Sequence, residues 1–173
     1  MSASRVVAGF ALATLTACAP AAHRRAARLE GRYTLGDPGA GWVAVPAGGA
    51  DLAWRHEGVG ATLYADSNCG PRFDEQHAGV LATELMGGLQ DVVRVQERAL
   101  PLAGRVGVVR THTARLDGVP VHLVVGVLNR DACTYDFVVI APPQGAATAE
   151  AGWRAAVDGF AATGARPRGT RAR

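Results

Sequence analysis

The stretch that decides the fold is residues 105–141, "RVGVVRTHTARLDGVPVHLVVGVLNRDACTYDFVVIA". It consists of three runs rich in valine, leucine and threonine, side chains that favour β-strands, separated by short polar breaks. The break at Asp117-Gly118 is a dipeptide that tight two-residue hairpins prefer, since both of its residues accept a positive φ. The second break covers Asn129 to Ala132, and Pro142-Pro143 ends the third run. The stretch therefore predicts three consecutive antiparallel strands.

Further strands precede this meander. The run "VRVQERAL" (93–100) predicts a fourth meander strand, joined to the first of the three by a turn at Pro101 to Gly104. Four shorter runs come earlier, and they are "RYTL" (32–35), "GWVAVP" (41–46), "LAWRH" (52–56) and "ATLYA" (61–65). Residues 57–60, between the last two, predict another hairpin turn.

Two segments carry apolar residues at helical spacing. Residues 73–89 predict a helix of about three turns, capped by Asp74 and ended by Gly87-Gly88. Residues 149–162 predict a closing helix, capped by Thr148 and ended by Gly164. The apolar positions are Ala78, Leu81, Leu85 and Leu89 in the first helix and Trp153, Val157 and Phe160 in the second. This order of elements predicts a single α+β domain, with a largely antiparallel sheet and helices packed on it.

The same order resembles the PsbP-like fold, which is named for an extrinsic photosystem subunit and shared by many small bacterial lipoproteins. The resemblance rests on an early Tyr33, on Gly41-Trp42 leading into Pro46, and on paired strands followed by a helix, a meander and a final helix. It implies an α/β/α sandwich over residues 33–163 and a binding or accessory role without catalysis. It implies no catalytic residue, because this fold hosts unrelated functions.

The first residues predict an export signal and a lipid anchor. Arg5 precedes an apolar run, Val6 to Thr16, which is too short for a membrane-spanning helix of about twenty residues. Leu15-Thr16-Ala17-Cys18 resembles the lipobox of bacterial lipoproteins at all four positions. The resemblance implies a signal peptide of residues 1–17, a thioether lipid on Cys18, and acylation, for example by palmitate, of the new amino terminus. Cleavage at an ordinary signal-peptide site, which would give Cys18 no special role, is the alternative.

Export also decides how the other cysteines are interpreted. In an oxidising envelope Cys69 and Cys133 predict one disulfide, and two free thiols are the alternative. Residues 18–32 are expected to form a tether between the anchor and the domain. The residue after Cys18 is Ala19 rather than an aspartate. This favours attachment to the outer membrane, with the domain facing the periplasm.

The charge of the chain is unevenly distributed. All 18 basic residues are arginine, and the net charge of +3 conceals two basic ends around an acidic middle. Residues 18–32 have a net charge of +3 and residues 165–173 of +4, whereas residues 33–164 carry nine arginines and fourteen acidic residues. Arginine without lysine is typical of a GC-rich genome, whose codons favour arginine whether or not the protein binds phosphate groups. The basic residues therefore do not indicate a nucleic-acid partner, and we predict none. The basic tether and the tail, residues 164–173, either rest on anionic headgroups or are solvated, disordered ends.

The sequence offers no recognisable catalytic or metal-binding motif. After residue 17 the only serine is Ser67, which lacks the glycine framing of a hydrolase nucleophile. The histidines lack the spacing of zinc motifs, and His112 and His122 fall on opposite faces if their strands pair across Asp117-Gly118. "GVGATL" (58–63) has too few glycines for a dinucleotide fingerprint. We therefore predict no metal, no cofactor and no enzyme activity.

The polar residues around the two cysteines are the candidate binding loops. A disulfide would draw together "DSNCG" (66–70), with Ser67 and Asn68 as turn residues, and "NRDACTYDF" (129–137). The side chains expected nearby are Asn68, Arg130, Asp131 and Tyr135. The alternative is that the disulfide only stabilises the sheet and does not mark a binding surface. Asp131 and Asp136 flank Cys133 and either belong to a cleft or are explained by turn chemistry and an exposed strand face.

The predicted function follows from these parts together. The chain is expected to be a lipid-anchored envelope protein that acts as a non-catalytic binding or accessory module, attached to the membrane by its lipid and partnered by an envelope protein. A carrier of a small apolar ligand, held between sheet and helix, is the alternative.

Overall fold

The part of the chain that the structure describes folds into nine strands and two α-helices. The structure is a computed structural model, and it describes residues 33–70 and 76–162. The strands are β1 (Tyr33–Thr34), β2 (Trp42–Ala44), β3 (Leu52–His56), β4 (Ala61–Cys69), β5 (Gln90–Leu102), β6 (Arg105–Leu116), β7 (Val119–Arg130), β8 (Cys133–Ala141) and β9 (Ala161–Ala162). The helices are α1 (Ala78–Glu84) and α2 (Ala146–Asp158). The lipobox, the tether and the basic tail lie outside the described residues.

Seven of the strands form one antiparallel sheet, in the order β2-β3-β4-β8-β7-β6-β5. Strands β5 to β8 are neighbours both in sequence and in space, because tight turns join them. β4 and β8 are adjacent although the meander separates them in sequence, and they pair from Thr62 opposite Ile140 to Cys69 opposite Cys133. β1 and β9 form a separate two-stranded sheet. The predicted α+β class with a largely antiparallel sheet is confirmed.

The two helices pack on opposite faces of the sheet, each over its own core. The core under α2 includes Leu63, Leu128, Phe137, Trp153 and Val157. The core under α1 includes Leu81, Ala82, Val125, Val127 and Val138. Because successive side chains of a strand point to opposite faces, a strand between two such cores is apolar at nearly every position. This explains the continuous buried runs of β7 and β8.

The Asp117-Gly118 turn sets the register of the meander. Its residues have positive φ angles of 50° and 79°, and Leu116 lies opposite Val119. His112 then lies opposite Leu123, and His122 opposite Thr113. The predicted register is confirmed, and it places the two histidines on opposite faces of the sheet.

Two predicted turns need correction, because the first is shorter than expected and the second is part of a strand. Pro101 lies within β5, and the turn into β6 is Ala103-Gly104, with φ angles of 51° and 75°. β5 is an edge strand, where a residue without an N–H group need not break the ladder. Ser67 and Asn68 lie within β4, because β8 continues to pair with that strand as far as the disulfide.

Both helices differ from their predicted bounds. α1 has seven residues rather than three turns, and its expected cap, Asp74, lies outside the described residues. α2 begins earlier than expected, at Ala146, since the 3-10 turn Pro143–Gly145 leads directly into it. It ends at Asp158, where Gly159 follows. The expected apolar positions Trp153, Val157 and Phe160 are all buried, with Phe160 just beyond the helix. Within the described ranges no helix has the length and apolarity needed to cross a bilayer.

Candidate functional site

Two hairpin turns and the disulfide meet at one end of the large sheet. The turns are Ala103-Gly104, between β5 and β6, and Asp131-Ala132, between β7 and β8. Asp131 and Ala132 both have positive φ angles, 54° and 58°, as a two-residue turn of this kind requires. We call this part of the surface, formed by the two turns together with Arg105, Arg130 and the disulfide, the hairpin end.

Arginine side chains tie the two turns to each other. Arg130 donates one hydrogen bond to the Ala103 carbonyl oxygen and one to the Asp131 carboxylate, each at 3.0 Å. Arg105 approaches the same carboxylate from the other turn, at 3.9 Å, and its side chain is 59% exposed. The hairpin end therefore presents Arg130 and Asp131 in positions fixed by contacts within the domain, next to the more exposed Arg105.

A disulfide closes this end of the sheet, as predicted. Cys69 and Cys133 are direct partners in the β4–β8 pairing, with Cα atoms 4.0 Å apart. The Gly70 N–H donates to the Ala132 carbonyl oxygen at 2.8 Å, so the chain beyond Cys69 stays next to the Asp131-Ala132 turn. Four of the predicted site residues, Cys69, Arg130, Asp131 and Cys133, are thus brought together.

Two further predicted site residues lie elsewhere in the domain, and Cys18 lies outside the described residues. Asn68 is half-buried opposite Thr134, on the face that α1 covers. Tyr135 is only 4% exposed, and its ring packs in the core against Tyr33 and Phe160, with ring centroids 5.3 Å and 5.0 Å apart. Tyr135 is two residues from Cys133 in a strand, so its side chain points to the α2 face. A surface that binds a partner at the hairpin end would therefore not include its ring.

A pair of carboxyl groups, one buried and one half-buried, lies next to this end, and the sequence did not reveal it. Asp66 and Asp136 are direct partners on β4 and β8, and Asp136 is 8% exposed. Burial, and then the charge of Asp66, raises the pKa of the Asp136 carboxyl to about 7. Burial and the same two carboxyl groups also raise the pKa of Tyr64. The expectation that Asp136 lies on an exposed strand face is wrong, because both faces of β8 are covered.

A second polar group of residues lies on the opposite face of β4. The Ser67 hydroxyl donates to the Asp51 carboxylate at 2.7 Å, and both side chains are buried. Burial, and then Asp51, raises the pKa of the neighbouring Tyr33 phenol. Among the described residues, no histidine or cysteine thiol joins this group, and the hydrogen-bond partner of the Ser67 hydroxyl is the Asp51 carboxylate.

The two histidines of the meander, His112 and His122, lie within the packed domain and contact its own residues. His122 Nε2 lies 2.8 Å from a Glu150 carboxylate oxygen, which connects β7 to α2. His112 is buried, and burial together with the charges of Arg110 and Arg94 lowers its pKa. Among residues 33–70 and 76–162, no three histidine, cysteine, aspartate or glutamate side chains are grouped as a metal site would require.

Comparison with known proteins shows the fold. No family model matches the chain, and neither does any curated protein. The solution structure of the cyanobacterial PsbP protein CyanoP from Synechocystis sp. PCC 6803 is similar, with a TM-score of 0.54 at 13% identity over 76% of this chain and 93% of that one. The crystal structure of LpqN from Mycobacterium tuberculosis, a protein involved in cell envelope biogenesis, is similar with a TM-score of 0.54 at 14% identity over 78% of this chain and 86% of that one. The domain therefore has the PsbP-like fold that the order of its elements predicted.

Proposed function

We propose that this protein is a lipid-anchored component of the cell envelope, and that its domain is a non-catalytic binding module that recruits an envelope protein through the hairpin end. The resemblance of Leu15-Thr16-Ala17-Cys18 to a lipobox supports the anchor. The shared fold with LpqN, a protein of cell envelope biogenesis, supports the compartment and the accessory role.

The observation that carries the proposal is the combination of exposure and fixed geometry at the hairpin end. Arg130 holds both turns, and the disulfide fixes the ends of β4 and β8 beside them. Binding then costs little conformational entropy, because the loops are already ordered. Loops held on a rigid sheet are where binding surfaces are commonly found.

The charges of the hairpin end indicate the kind of partner. Arg105 is mostly exposed and has only a distant contact with Asp131, so its guanidinium group is available to a carboxylate of a partner. Val106, the next residue, is one of the most exposed apolar side chains of the described part. Successive side chains of a strand point to opposite faces, so Val106 lies on the other side of β6 and does not adjoin the Arg105 side chain. The exposed guanidinium group of Arg105 therefore fits an acidic group on a partner.

The hairpin end also lies near the point where the chain enters the domain. Tyr33, the first described residue, packs against Tyr135, which is two residues from Cys133. A tether of residues 18–32 spans at most about 50 Å when fully extended. A partner of the hairpin end would therefore lie in the membrane that holds the anchor or close to it.

The test combines membrane fractionation with cross-linking in the native host. We expect the wild-type protein in the membrane fraction, cross-linked to a defined envelope protein that mass spectrometry identifies. Cys18→Ala should release the protein from the membrane. Arg105→Glu should leave it in the membrane but remove the cross-link. Arg154→Glu is the matched control, because it makes the same charge change at an exposed position of α2.

Two results would contradict the proposal. If Cys18→Ala fractionates like the wild type, the lipid anchor is wrong. If Arg105→Glu and Arg154→Glu both keep the full cross-link, the hairpin end is not the binding surface, even though the anchor stands.

A further inference from the structure

β5 is an outer strand of the large sheet. It lies at one end of the strand order and, among the described strands, pairs with β6 alone. The side chains of residues 90–99 are all exposed. An outer strand leaves half of its backbone N–H and C=O groups without a strand partner, so it offers a place at which a further strand can add to the sheet.

Only part of this edge is regular. The register of β5 against β6 shifts at two places between Gln90 and Gln96, and such bulges interrupt a ladder. Over residues 96–102 the pairing with β6 is continuous. The place for an added strand is therefore residues 96–102, which we call the open edge.

The turn after β5 determines which groups of the open edge face outward. Leu102 and Arg105 flank the two-residue turn and pair with each other, and residues in that position exchange backbone hydrogen bonds. Because such pairs alternate along an antiparallel ladder, Glu97 and Ala99 direct their N–H and C=O groups away from β6. Pro101, which has no N–H group, occupies another outward position, as expected for a proline in an edge strand.

The hairpin of β5 and β6 is basic, although the domain as a whole is acidic. Residues 90–116 contain five of the nine arginines of residues 33–164 but only two of the fourteen acidic residues. Both of these acidic residues, Asp91 and Glu97, form ion pairs with arginines of the same hairpin. Positive charge is therefore in excess along this edge of the sheet.

Arginines lie on both faces of the sheet beside the open edge. Glu97 accepts hydrogen bonds from Arg94 and Arg110, and Arg110 also bonds α1, so this group lies on the α1 face. Arg98 lies opposite Val109, whose side chain belongs to the core under α2, so Arg98 lies on the other face. None of the ion pairs among the described residues includes Arg98. The side chains of an added strand would alternate between the two faces and meet an arginine on each.

We propose that the open edge binds an extended, acidic segment of another protein, which adds to the sheet as a further strand next to β5. The inference goes beyond the proposed function, because it uses neither the lipid anchor nor the hairpin end. Arg94 and Arg98 pair with acidic side chains of the segment, and Glu97 and Ala99 exchange backbone hydrogen bonds with it. The arginines that discourage pairing with a basic strand thus favour an acidic one.

Other occupants fit the open edge less well. A lipid headgroup or a nucleic acid can pair with the arginines, but it has no polypeptide backbone to match the N–H and C=O groups of Glu97 and Ala99. A second copy that paired antiparallel through these two residues would place the two Arg98 side chains opposite each other, and like charges in that position are destabilising. Residues 18–32 and 165–173 of the chain itself are basic. An acidic polypeptide is the occupant that the charges favour.

The test uses the full-length protein and a fluorescein-labelled peptide, Thr-Val-Glu-Glu-Val-Thr-Val-Glu-Glu-Val-Thr. Neighbouring glutamates of a strand point to opposite faces, so the peptide reaches the arginines on both. We expect the peptide to bind, as measured by fluorescence anisotropy, and to slow the amide hydrogen exchange of Glu97 and Ala99. A peptide with proline in place of valine keeps the charge but lacks the N–H groups of a strand, and it should bind about tenfold more weakly or not at all.

The variant that tests the charge is Arg98→Glu, which should weaken binding of the peptide by about tenfold or more. The matched control is Arg154→Glu, which makes the same charge change at an exposed position of α2 and should bind like the wild type. A peptide with lysine in place of glutamate should not bind the wild type.

Three results would overturn the proposal. The first is equal binding of the peptide by Arg98→Glu and Arg154→Glu. The second is equal binding of the valine and proline peptides, because the arginines would then bind acidic groups without an added strand. The third is another occupant, shown by phosphatidylglycerol vesicles that bind the wild type but not Arg98→Glu while the peptide binds neither, or by a dimer that Arg98→Glu strengthens.

Discussion

Asp66 on β4 and Asp136 on β8 lie directly opposite each other, with both side chains on the α1 face of the sheet. Asp136 Oδ1 is buried and accepts no hydrogen bond from the described residues. Burial, followed by the charge of Asp66, raises the pKa of Asp136 to about 7. An exposed aspartate in the unfolded chain has a pKa of about 4. Between these values the folded protein binds a proton that the unfolded chain does not.

The protonated Asp136 therefore links stability to pH. Its contribution is fully present below about pH 4 and is lost as the pH rises through about 7, at up to about 1.4 kcal/mol per pH unit. Asp136→Asn should remove this dependence. The unfolding free energy of the variant should therefore rise relative to that of the wild type as the pH rises from 5 to 8. Urea unfolding across that range measures the difference, with the exposed Asp158→Asn as control. A difference between wild type and Asp136→Asn that stays constant with pH would contradict the assignment.

Arg110 should hold α1 on the sheet. It donates 2.8 Å hydrogen bonds to the Gly79 carbonyl oxygen and the Thr83 hydroxyl, and its side chain is 12% exposed. Loss of such bonds from a charged group costs about 1.5–3 kcal/mol. We expect Arg110→Ala to lower the unfolding free energy by that amount and to speed amide exchange in residues 78–84. The control is Arg94→Ala, because Arg94 is exposed and, within the described residues, its side chain bonds Glu97 and not α1. Equal stability of the two variants would show that Arg110 does not hold the helix.

Gly126 should be intolerant of a side chain. A Cβ atom there would lie 2.6 Å from the Trp153 ring, and Trp153 is fixed by a 2.9 Å hydrogen bond from its Nε1 to the Phe137 carbonyl oxygen. Overpacking of this kind costs about 1–3 kcal/mol. Gly126→Ala should therefore lower the melting temperature and shift the tryptophan emission. Gly49→Ala, which would meet no atom within 4 Å, should leave both unchanged. A Gly126→Ala variant as stable as Gly49→Ala would contradict this packing.

The disulfide should stabilise the domain without being needed for its sheet. It closes a loop across a sequence separation of 64 residues, for which the chain-entropy estimate is at most about 4 kcal/mol. Cys69→Ala/Cys133→Ala should lower the denaturant midpoint and keep the wild-type circular dichroism, because the β4–β8 pairing extends well beyond the bridge. Reductant should lower the midpoint of the wild type but not that of the variant. A wild type that is unaffected by reductant would show that no bridge forms.

The features that the sequence predicted are those with local causes. The Asp117-Gly118 turn needs only two residues that accept a positive φ, and it alone sets the register that separates His112 from His122. The helical stripe around Trp153 likewise depends on spacing within one segment. Such features can be predicted before the neighbours of a strand are known.

The features that the sequence did not predict depend on distant parts of the chain. β4 continues through Ser67 and Asn68 because β8 pairs with it, although those residues alone favour a turn. Asp136 is buried on the face of β8 that also carries Val138 and the α1 core, a face that the alternation of β8 does not mark as internal. At the candidate site, the disulfide and the turn residues followed from cysteine count and turn chemistry. The contact between Arg130 and Ala103 could not be predicted from the sequence, since it joins two separate hairpins.

The position of β4 beside β8 also implies an order of folding. The meander strands β5 to β8 contact their sequence neighbours, so they can pair early, whereas β4 must wait until β8 is in place because their pairing closes a long loop. β2 and β3 have no other route into the large sheet than through β4. We therefore expect the N-terminal third of the domain, although it emerges first from the ribosome, to be the last part to gain protection from hydrogen exchange.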